Sequence, residues 1–570
     1  MASTSNTDRV IDAGMIKKAH PEQTPPDVSH EGDVATEKGD SDGVEQAAPT
    51  GPTDGTPWVT GIKLVMIMSG ITLVCFLMLL DTSIISTATP RITSQFHSLP
   101  DVGWYGSAYL LASASLVPLT GKIYQNFNTK WSFVSFFAVF ELGSLLCGVA
   151  TSSKMLIVGR AVAGMGGSGI QNGAFTIIAG CVPMQRRPAL TGLLMGFAQL
   201  GIVIGPLIGG AFTQYTTWRW CFYINLPIGA VVGLLLFFVH IPEQLPKPKG
   251  ISVVHIILRK LDLVGFVLFA PAAVQFLLAL QYGGNKYAWN SSVVIGLFCG
   301  AGATFVCFIL WEWYKGDDAM IPYSMICRQT VWTSCVVYGF LMATLLVASY
   351  YLPIYFQAIK GVNAMLSGVY ILPSILSQSA LAIISGALVG RFGYYLPWSL
   401  AGGIVSSVGN GLLTTFTPST SVGKWIGYQI LLGAGRGAGL QMPIIAAQNN
   451  LPPPLIPVAM ALIMFCQSFF GSTFLSYADV IFTNSLRNKL KEYAPEVPPE
   501  SIIVAGATAF RKAVPADQLP GVLKAYSKSV DYVFYLAVGA AVATFVFSCG
   551  MGWKDIRGNE PPQPSGDEKV

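Results

Sequence analysis

Fourteen stretches of about twenty mostly apolar residues constrain this chain more than any other feature. They run over 62–87, 103–120, 132–150, 155–182, 189–213, 219–240, 261–281, 291–311, 331–356, 366–390, 398–416, 424–446, 456–482 and 532–553. At ~1.5 Å rise per residue, each is long enough to cross about 30 Å of hydrocarbon as a helix. Only 11% of the residues are charged and 52% are hydrophobic, whereas a soluble globular chain carries roughly a quarter charged. Backbone amides in lipid must be satisfied within their own segment, so the pattern predicts an all-α polytopic membrane protein.

The run at 190–212, LTGLLMGFAQLGIVIGPLIGGAF, is the most specific of these stretches. Gly192, Gly196, Gly201, Gly205, Gly209 and Gly210 fall largely at spacings of four, so several share a face that a second helix can approach at backbone distance. Pro206 within the run is tolerable because membrane neighbours re-satisfy the carbonyl it frees. Taken alone, this helix fits generic small-residue packing as well as a dedicated motif.

Residues 1–57 are rich in Pro, Gly, Thr, Asp and Glu and contain no apolar core. A disordered tail is expected there, and a cleaved signal peptide is not. An even number of spans puts both tails on one side of the membrane. Short loops on that side carry eleven Lys and Arg residues, from Lys122 to Arg391, against six on the other, from Arg91 to Lys424. The positive-inside rule therefore makes both termini cytosolic. The long outer loop 483–531 also carries cations, but long segments translocate largely regardless of charge. Within it, apolar residues over 500–529 predict a short amphipathic helix. The net charge of +5 faces anionic lipid and requires no nucleic acid. Cysteines such as Cys75, Cys147, Cys181, Cys335 and Cys466 read as small apolar packers without a disulfide framework.

The chain repeats itself. GSGIQ at 167–171 returns as GAGLQ at 437–441, Phe197-x-Gln199 returns as Phe465-x-Gln467, and TPRI then GKIYQNF return as LPIYF then GALVGRF, all at offsets near 265. Six spans occupy about 180 residues, so this offset leaves room for two extra helices and predicts a 6 + 2 + 6 plan. The expected parts are a disordered cytosolic tail (1–60), a six-helix bundle (61–240), a two-helix insert with cytosolic linkers (241–330), a second six-helix bundle including the outer loop (331–553), and a cytosolic tail (554–570). Two such bundles, related by a pseudo-twofold along the membrane normal, place a ligand site between them near the midplane.

The motifs that carry a family resemblance are LDTSIISTATPRI (80–92), GRAVAGMGGSGIQNG (159–173), the glycine helix, WRWCFYINLPIG (218–229), YYLPIYFQAIKGVNAMLSGVYILP (350–373) and GAGRGAGLQMP (433–443). Through them the chain resembles the fourteen-helix drug:proton antiporters of the major facilitator superfamily (MFS), in particular fungal toxin and multidrug efflux pumps. The resemblance spans roughly 60–555 and implies the MFS fold with 14 transmembrane helices. It departs between the second and third spans, where GKIYQNFNTK places Gln125 and Asn126 at the family's acid and arginine positions and keeps Lys130. A latch on the inner gate is therefore expected to be weaker or built from neutral hydrogen bonds. GALVGRFGYY in the second half keeps Arg391 and Gly393 and likewise has no acid.

An ionisable group in the bilayer core costs roughly 2.5–3.5 kcal/mol even on the mildest scale, so Asp81, Glu141, Arg160, Arg436 and Asp479 each need a reason. Asp81 lies towards the outer end of the first span and Arg160 a few residues into the inward-running fourth, so the two can meet. An arginine neighbour favours an ionised carboxylate and apolar surroundings favour a protonated one. A switch between those surroundings moves a proton, and the alternative is a static structural pair. The resemblance associates the arginine of GRAVAG with proton coupling. Glu141 reads either as a neutral acid bonded within the bundle or as a second proton site. Arg436 reads as an anion partner in the cavity or as half of a structural pair, Asp479 as a hydrated group, and Asp262 as an N-cap. For the substrate wall, polar groups in mostly apolar helices single out Gln171, Asn172, Gln199, Asn225, Tyr355, Gln357, Arg436, Gln441 and Gln467. Interhelical packing is the other reading for each.

The function these features predict is proton-coupled secondary active export of a hydrophobic or amphipathic small molecule, such as a fungal secondary metabolite, toxin or drug, by alternating access. Expected partners are that substrate, protons and the lipid bilayer. No cofactor is expected beyond the proton gradient, and the chain is expected to be a monomer in the plasma membrane or, alternatively, the vacuolar membrane. A proton-symporting importer of a siderophore or nutrient is the rival on the same fold. A membrane sensor would need a cytosolic output surface, and the tails are short or featureless. An enzyme is not expected, because all five histidines lie in tails, loops or helix ends.

Overall fold

The structure, a computed structural model, describes residues 58–98, 101–243, 247, 253–284, 286–503, 510–511 and 514–558. The tail expected at 1–57 lies outside the described residues, as do 559–570 of the tail expected at 554–570 and the 504–509 and 512–513 parts of the expected amphipathic segment. The described chain is helical, with isolated bridges only. Helices α1 (Gly61–Phe96), α2 (Val102–Asn126), α3 (Thr129–Gly148), α4 (Ser153–Cys181), α5 (Arg187–Tyr215) and α6 (Trp220–Phe238) come first. A short α7 (Val253–Lys260) leads into α8 (Leu263–Tyr282) and α9 (Ser292–Lys315). Then follow α10 (Gln329–Ile354), α11 (Ala364–Phe392), α12 (Leu396–Leu413), α13 (Val422–Gly439), α14 (Met442–Asn450), α15 (Ile456–Tyr493) and α16 (Leu519–Ser548).

Local chemistry sets several of the starts. Asn128, Ser152, Asp262, Ser291 and Asn363 each accept a backbone N–H bond from the residue three further on, capping α3, α4, α8, α9 and α11. Asp262 is thus the N-cap that the sequence predicts. Eleven of the described helices are long and apolar enough to cross a membrane. Helices α2, α4 and α12 have comparable length but more polar side chains, and these are buried against protein, as with Thr120, Ser168, Asn172, Ser399 and Asn410.

Several boundaries differ from those read by apolarity, most of all in the second half. Helix α15 runs on to Tyr493 and α16 starts at Leu519, so both ends of the expected loop 483–531 are helical. Apolarity ends where lipid ends, whereas helical hydrogen bonding continues into water. The stretch at 424–446 is divided at Leu440–Gln441, between α13 and α14.

Packing repeats between the first six helices and the last. Helix α1 lies on α5 and α6, α2 and α3 lie on α4, and α3 lies on α6. In the same way α10 lies on α15 and α16, α11 and α12 lie on α13, and α12 lies on α16. The sets meet chiefly through α5 with α11 and α2 with α15, with a smaller contact of α4 on α15, and α8 lies over the α2–α15 seam with α9 packed on α8. These contacts depend on small residues. Gly192 and Gly196 of α5 meet the backbone of α11 at Ala382 and Ser379, whereas Gly201, Gly205 and Gly209 meet α1 at Phe76 to Leu80, Ser83 and Thr87. Gly210 meets open space. Ser83 Oγ donates to the Gly201 carbonyl at 3.1 Å, pinning the crossing. Pro206 lies within α5 without ending it.

A side chain at Gly201 would press on the Phe76 carbonyl and the Leu80 amide, which are backbone and cannot give way. Gly201→Val is therefore expected to destabilise the protein by ~1–3 kcal/mol, read as a lower melting temperature in detergent. Gly210→Val is expected to change stability by no more than about 0.5 kcal/mol.

Candidate functional site

The most constrained polar cluster lies where α1, α2, α3, α4 and α6 converge. Arg160 Nη1 of α4 donates to Asp81 Oδ2 of α1 at 2.5 Å, and both side chains are essentially inaccessible, at 1% and 0% exposure. Arg160 Nε donates to the Tyr105 carbonyl at 2.9 Å, and its guanidinium lies 4.8 Å from the centre of the Tyr109 ring. On the other side, Asn225 Nδ2 donates to Ser144 Oγ at 3.1 Å and reaches Asp81 Oδ1 at 3.4 Å. Glycines make room for this cluster. Gly164 and Gly167 of α4 lie against the Tyr109 carbonyl and hydroxyl, and Gly159 lies against Cys147. Glu141, one turn before Ser144, is pressed on Gly229 of α6, and neither carboxyl oxygen has a hydrogen-bond partner among the described residues.

Of the residues the sequence singles out, the structure brings Asp81, Arg160, Asn225 and Glu141 into this one region. Tyr105, Tyr109 and Ser144 complete it and were not singled out. Their signal was present in spacing, since Tyr105 and Tyr109 are four apart on one face of α2 and Ser144 follows Glu141 by three.

The other polar residues divide into two groups. Gln171 and Gln467 meet across the two helix sets, amide to carbonyl at 3.2 Å, and both are only half-buried. Gln199 and Gln357 are also half-buried, the latter reaching Ser367 Oγ at 3.4 Å. By contrast Asn172, Tyr355 and Gln441 are fully buried in helix contacts and not arrayed on a wall. Asn172 donates to Thr120 Oγ1 at 2.9 Å, Tyr355 to the Thr417 carbonyl at 2.8 Å, and Gln441 to the Ala382 carbonyl at 2.8 Å. Asn225 likewise serves the ion pair. Arg436 donates to the Thr344 carbonyl at 2.7 Å and makes no ion pair among the described residues.

The turns that lack an acid of their own are met by charged groups from elsewhere in the chain. After α6, Glu243 accepts from the Thr129 amide at 2.5 Å and from its hydroxyl at 2.8 Å. Lys247 donates to the carbonyls of Tyr124 and Gln125 at 2.9 and 3.1 Å and stands 3.7 Å from Glu243. Burial holds the Lys247 ammonium below its ordinary pKa, and Glu243 offsets part of that. In the second half the same job falls to the segment after α16. Ile556 donates its amide to the Gly393 carbonyl at 2.9 Å, Asp555 pairs with Arg557 at 2.7 Å, and Arg557 reaches the Arg391 carbonyl at 3.3 Å. Arg557 holds the Asp555 carboxyl below its usual range. Gly393 needs its φ of +88° and has no room for a side chain beside Asp555.

Paired six-helix sets, one of them holding a buried acid and arginine, are the plan of a multi-pass membrane carrier. The sequence model of the Major Facilitator Superfamily matches residues 71–475, and the chain belongs to that superfamily of transporters. It is 56% identical over 504 residues to the MFS-type transporter calB of Penicillium decumbens, covering 88% of this chain and 90% of that one. The efflux pumps mokI of Monascus pilosus and mlcE of Penicillium citrinum are 55% and 54% identical, each over 87% of this chain and 92% of its own length. Among solved structures, the human organic anion transporter MFSD10 (TETRAN) shares the fold, with a TM-score of 0.55 at 11% identity over 85% of this chain and 100% of that one.

Removing one partner of a buried ion pair strands the other. Arg160→Leu is expected to cost ~3–5 kcal/mol, seen as aggregation or a sharply lowered melting temperature, and Asp81→Asn added to it is expected to restore most of the loss. At the turns, Glu243→Ala with Lys247→Ala is expected to raise thiol labelling of a cysteine introduced at Thr176, a residue lining the small cavity beside Glu243 and Lys247.

Proposed function

We propose that this transporter is a proton-driven exporter of a hydrophobic or amphipathic organic molecule, of the secondary-metabolite or drug class, working by alternating access. The observation that carries the reading is the buried Asp81–Arg160 pair. While Arg160 lies against it, the carboxylate is neutralised as an ion pair. Rearrangement of α1 against α4 leaves a buried anion, whose cost favours taking up a proton. Glu141, in the same region, is the second protonatable group of this reading. One charge moved across about 100 mV supplies ~2.3 kcal/mol, and each pH unit adds ~1.4 kcal/mol, enough to sustain a steep outward gradient of substrate.

In this reading the chain has fourteen spans in a 6 + 2 + 6 arrangement, with α2, α4 and α12 counted alongside the eleven more apolar helices. The bundles are 61–240 and 331–553, both termini are cytosolic, and the protein works as a monomer in the plasma membrane without a cofactor. Substrate lies between the bundles against Gln171, Gln199, Gln357 and Gln467, the half-buried members of the polar set. In this reading two helix contacts close the cytosolic side. Gly121 of α2 lies on Val458 of α15, and Gly386 of α11 lies on the Pro188 carbonyl of α5. Outward direction is supported by the relatives named efflux pumps.

The test is transport in reconstituted vesicles with an imposed pH gradient. Asp81→Asn is expected to abolish gradient-driven accumulation of a lipophilic dye or drug substrate while leaving equilibrium exchange of that substrate measurable. Accumulation at the native rate in Asp81→Asn would remove Asp81 from the proton path.

A further inference from the structure

Where α7 meets the end of α9, the surface opens into a pocket of about 460 Å³ lined by His255, Leu258, Arg259, Lys260, Lys315 and Asp318. The transport reading makes no use of it. Arg259, Lys260 and Lys315 have no ion-pair partner among the described residues. Three further acids nearby are hydrogen-bonded to neutral groups and form no ion pair with these cations among the described residues. Asp262 accepts from Trp311 Nε1 at 2.8 Å and from the Met320 amide at 2.9 Å, Glu312 accepts from the Ile321 amide at 2.9 Å, and Asp317 accepts from the Ser324 amide at 2.9 Å. Asp318 alone sets a negative charge in the lining against three cations and an exposed histidine.

The depth of the pocket follows from its neighbours. Trp313 and Tyr314, directly before Lys315, are 78% and 80% exposed at the end of a spanning helix, the position where indole and phenol rings meet lipid headgroups. Helix α7 buries Ile256 and exposes Val253, Val254 and Leu258 alongside Arg259 and Lys260. That division suits a helix lying in the interface, with apolar residues towards acyl chains and cations towards headgroups.

We propose that this pocket holds the phosphate headgroup of an anionic phospholipid. Arg259 and Lys315 face the phosphate from two elements, Lys260 adds charge, and the acyl chains run along the exposed Leu258 face of α7. The proposal rests on the transport reading only in assigning this end to the anion-rich cytosolic leaflet. Binding measured in detergent is independent of orientation, so its failure would leave the transport reading untouched.

The experiment titrates the delipidated full-length chain with phosphatidylserine and, separately, phosphatidylcholine, reading occupancy by native mass spectrometry. The expected result is a preference of at least about tenfold for phosphatidylserine. That preference is lost in the R259Q/K260Q/K315Q variant and in Lys315→Gln alone is reduced, while the charge-keeping R259K/K315R variant retains it. Millimolar inorganic phosphate is expected not to displace the lipid. An unchanged preference in the triple variant overturns the proposal. Complete displacement by free phosphate overturns it in favour of a soluble anion site.

Discussion

A carboxylate and a guanidinium held together out of contact with water set the terms for the rest of this structure. Either group alone at that depth would be costly, and a pair is acceptable only with close geometry and with its remaining donors and acceptors satisfied. Asp81 and Arg160 meet that condition because four other groups converge on them: the Tyr105 carbonyl, the Tyr109 ring, and Asn225 backed by Ser144. Each comes from a different helix than its partner in the pair or from a neighbouring turn. The pair therefore fixes where α1, α2, α3, α4 and α6 must stand, and the glycines follow from that requirement. Gly164 and Gly167 let α4 come down onto Tyr109, and Gly201 lets α5 close on α1 behind Asp81.

The two helix sets share packing but not charge. Arg436 of α13 corresponds in the repeat to the region of α4, yet it is met by a carbonyl of Thr344 and, among the described residues, by no acid. One set thus holds the buried acid–arginine pair, and the other supplies a counter-surface joined to it through Gln171 and Gln467. At the turns the symmetry returns. In both halves the chain that follows the sixth helix folds back with an acid and a cation, Glu243 with Lys247 and Asp555 with Arg557, and ties down the turn after the second helix. These segments replace in space what Gln125 and Asn126 have lost in sequence.

The fold was legible because lipid imposes a strong pattern. Apolar length located the helices, and the repeat of GSGIQ and GAGLQ foretold paired sets that the packing displays. Asp81 and Arg160 were legible as a pair because depth follows from helical rise and both are expensive in lipid. What could not be read was which polar side chains look into open space. Asn172 and Gln171 are adjacent in sequence, yet Asn172 bonds Thr120 inside one set while Gln171 reaches Gln467 across to the other. Helical rotation relative to neighbours decides this, and a single sequence does not reveal it. The charged ties at Glu243 and Lys247 were missed for a related reason, since they depend on a linker folding back over more than a hundred residues of intervening chain.

The proposal that matters most is that Asp81 takes up and releases a proton as its contact with Arg160 changes. Infrared difference titration of the purified protein in lipid measures this directly, through the band of protonated carboxyl groups. The account predicts that acidification produces such a band in the native chain and that the band is diminished in Asp81→Asn, with Glu141→Gln removing a separate component. An acid-induced carboxyl band identical in the native protein and Asp81→Asn would contradict it.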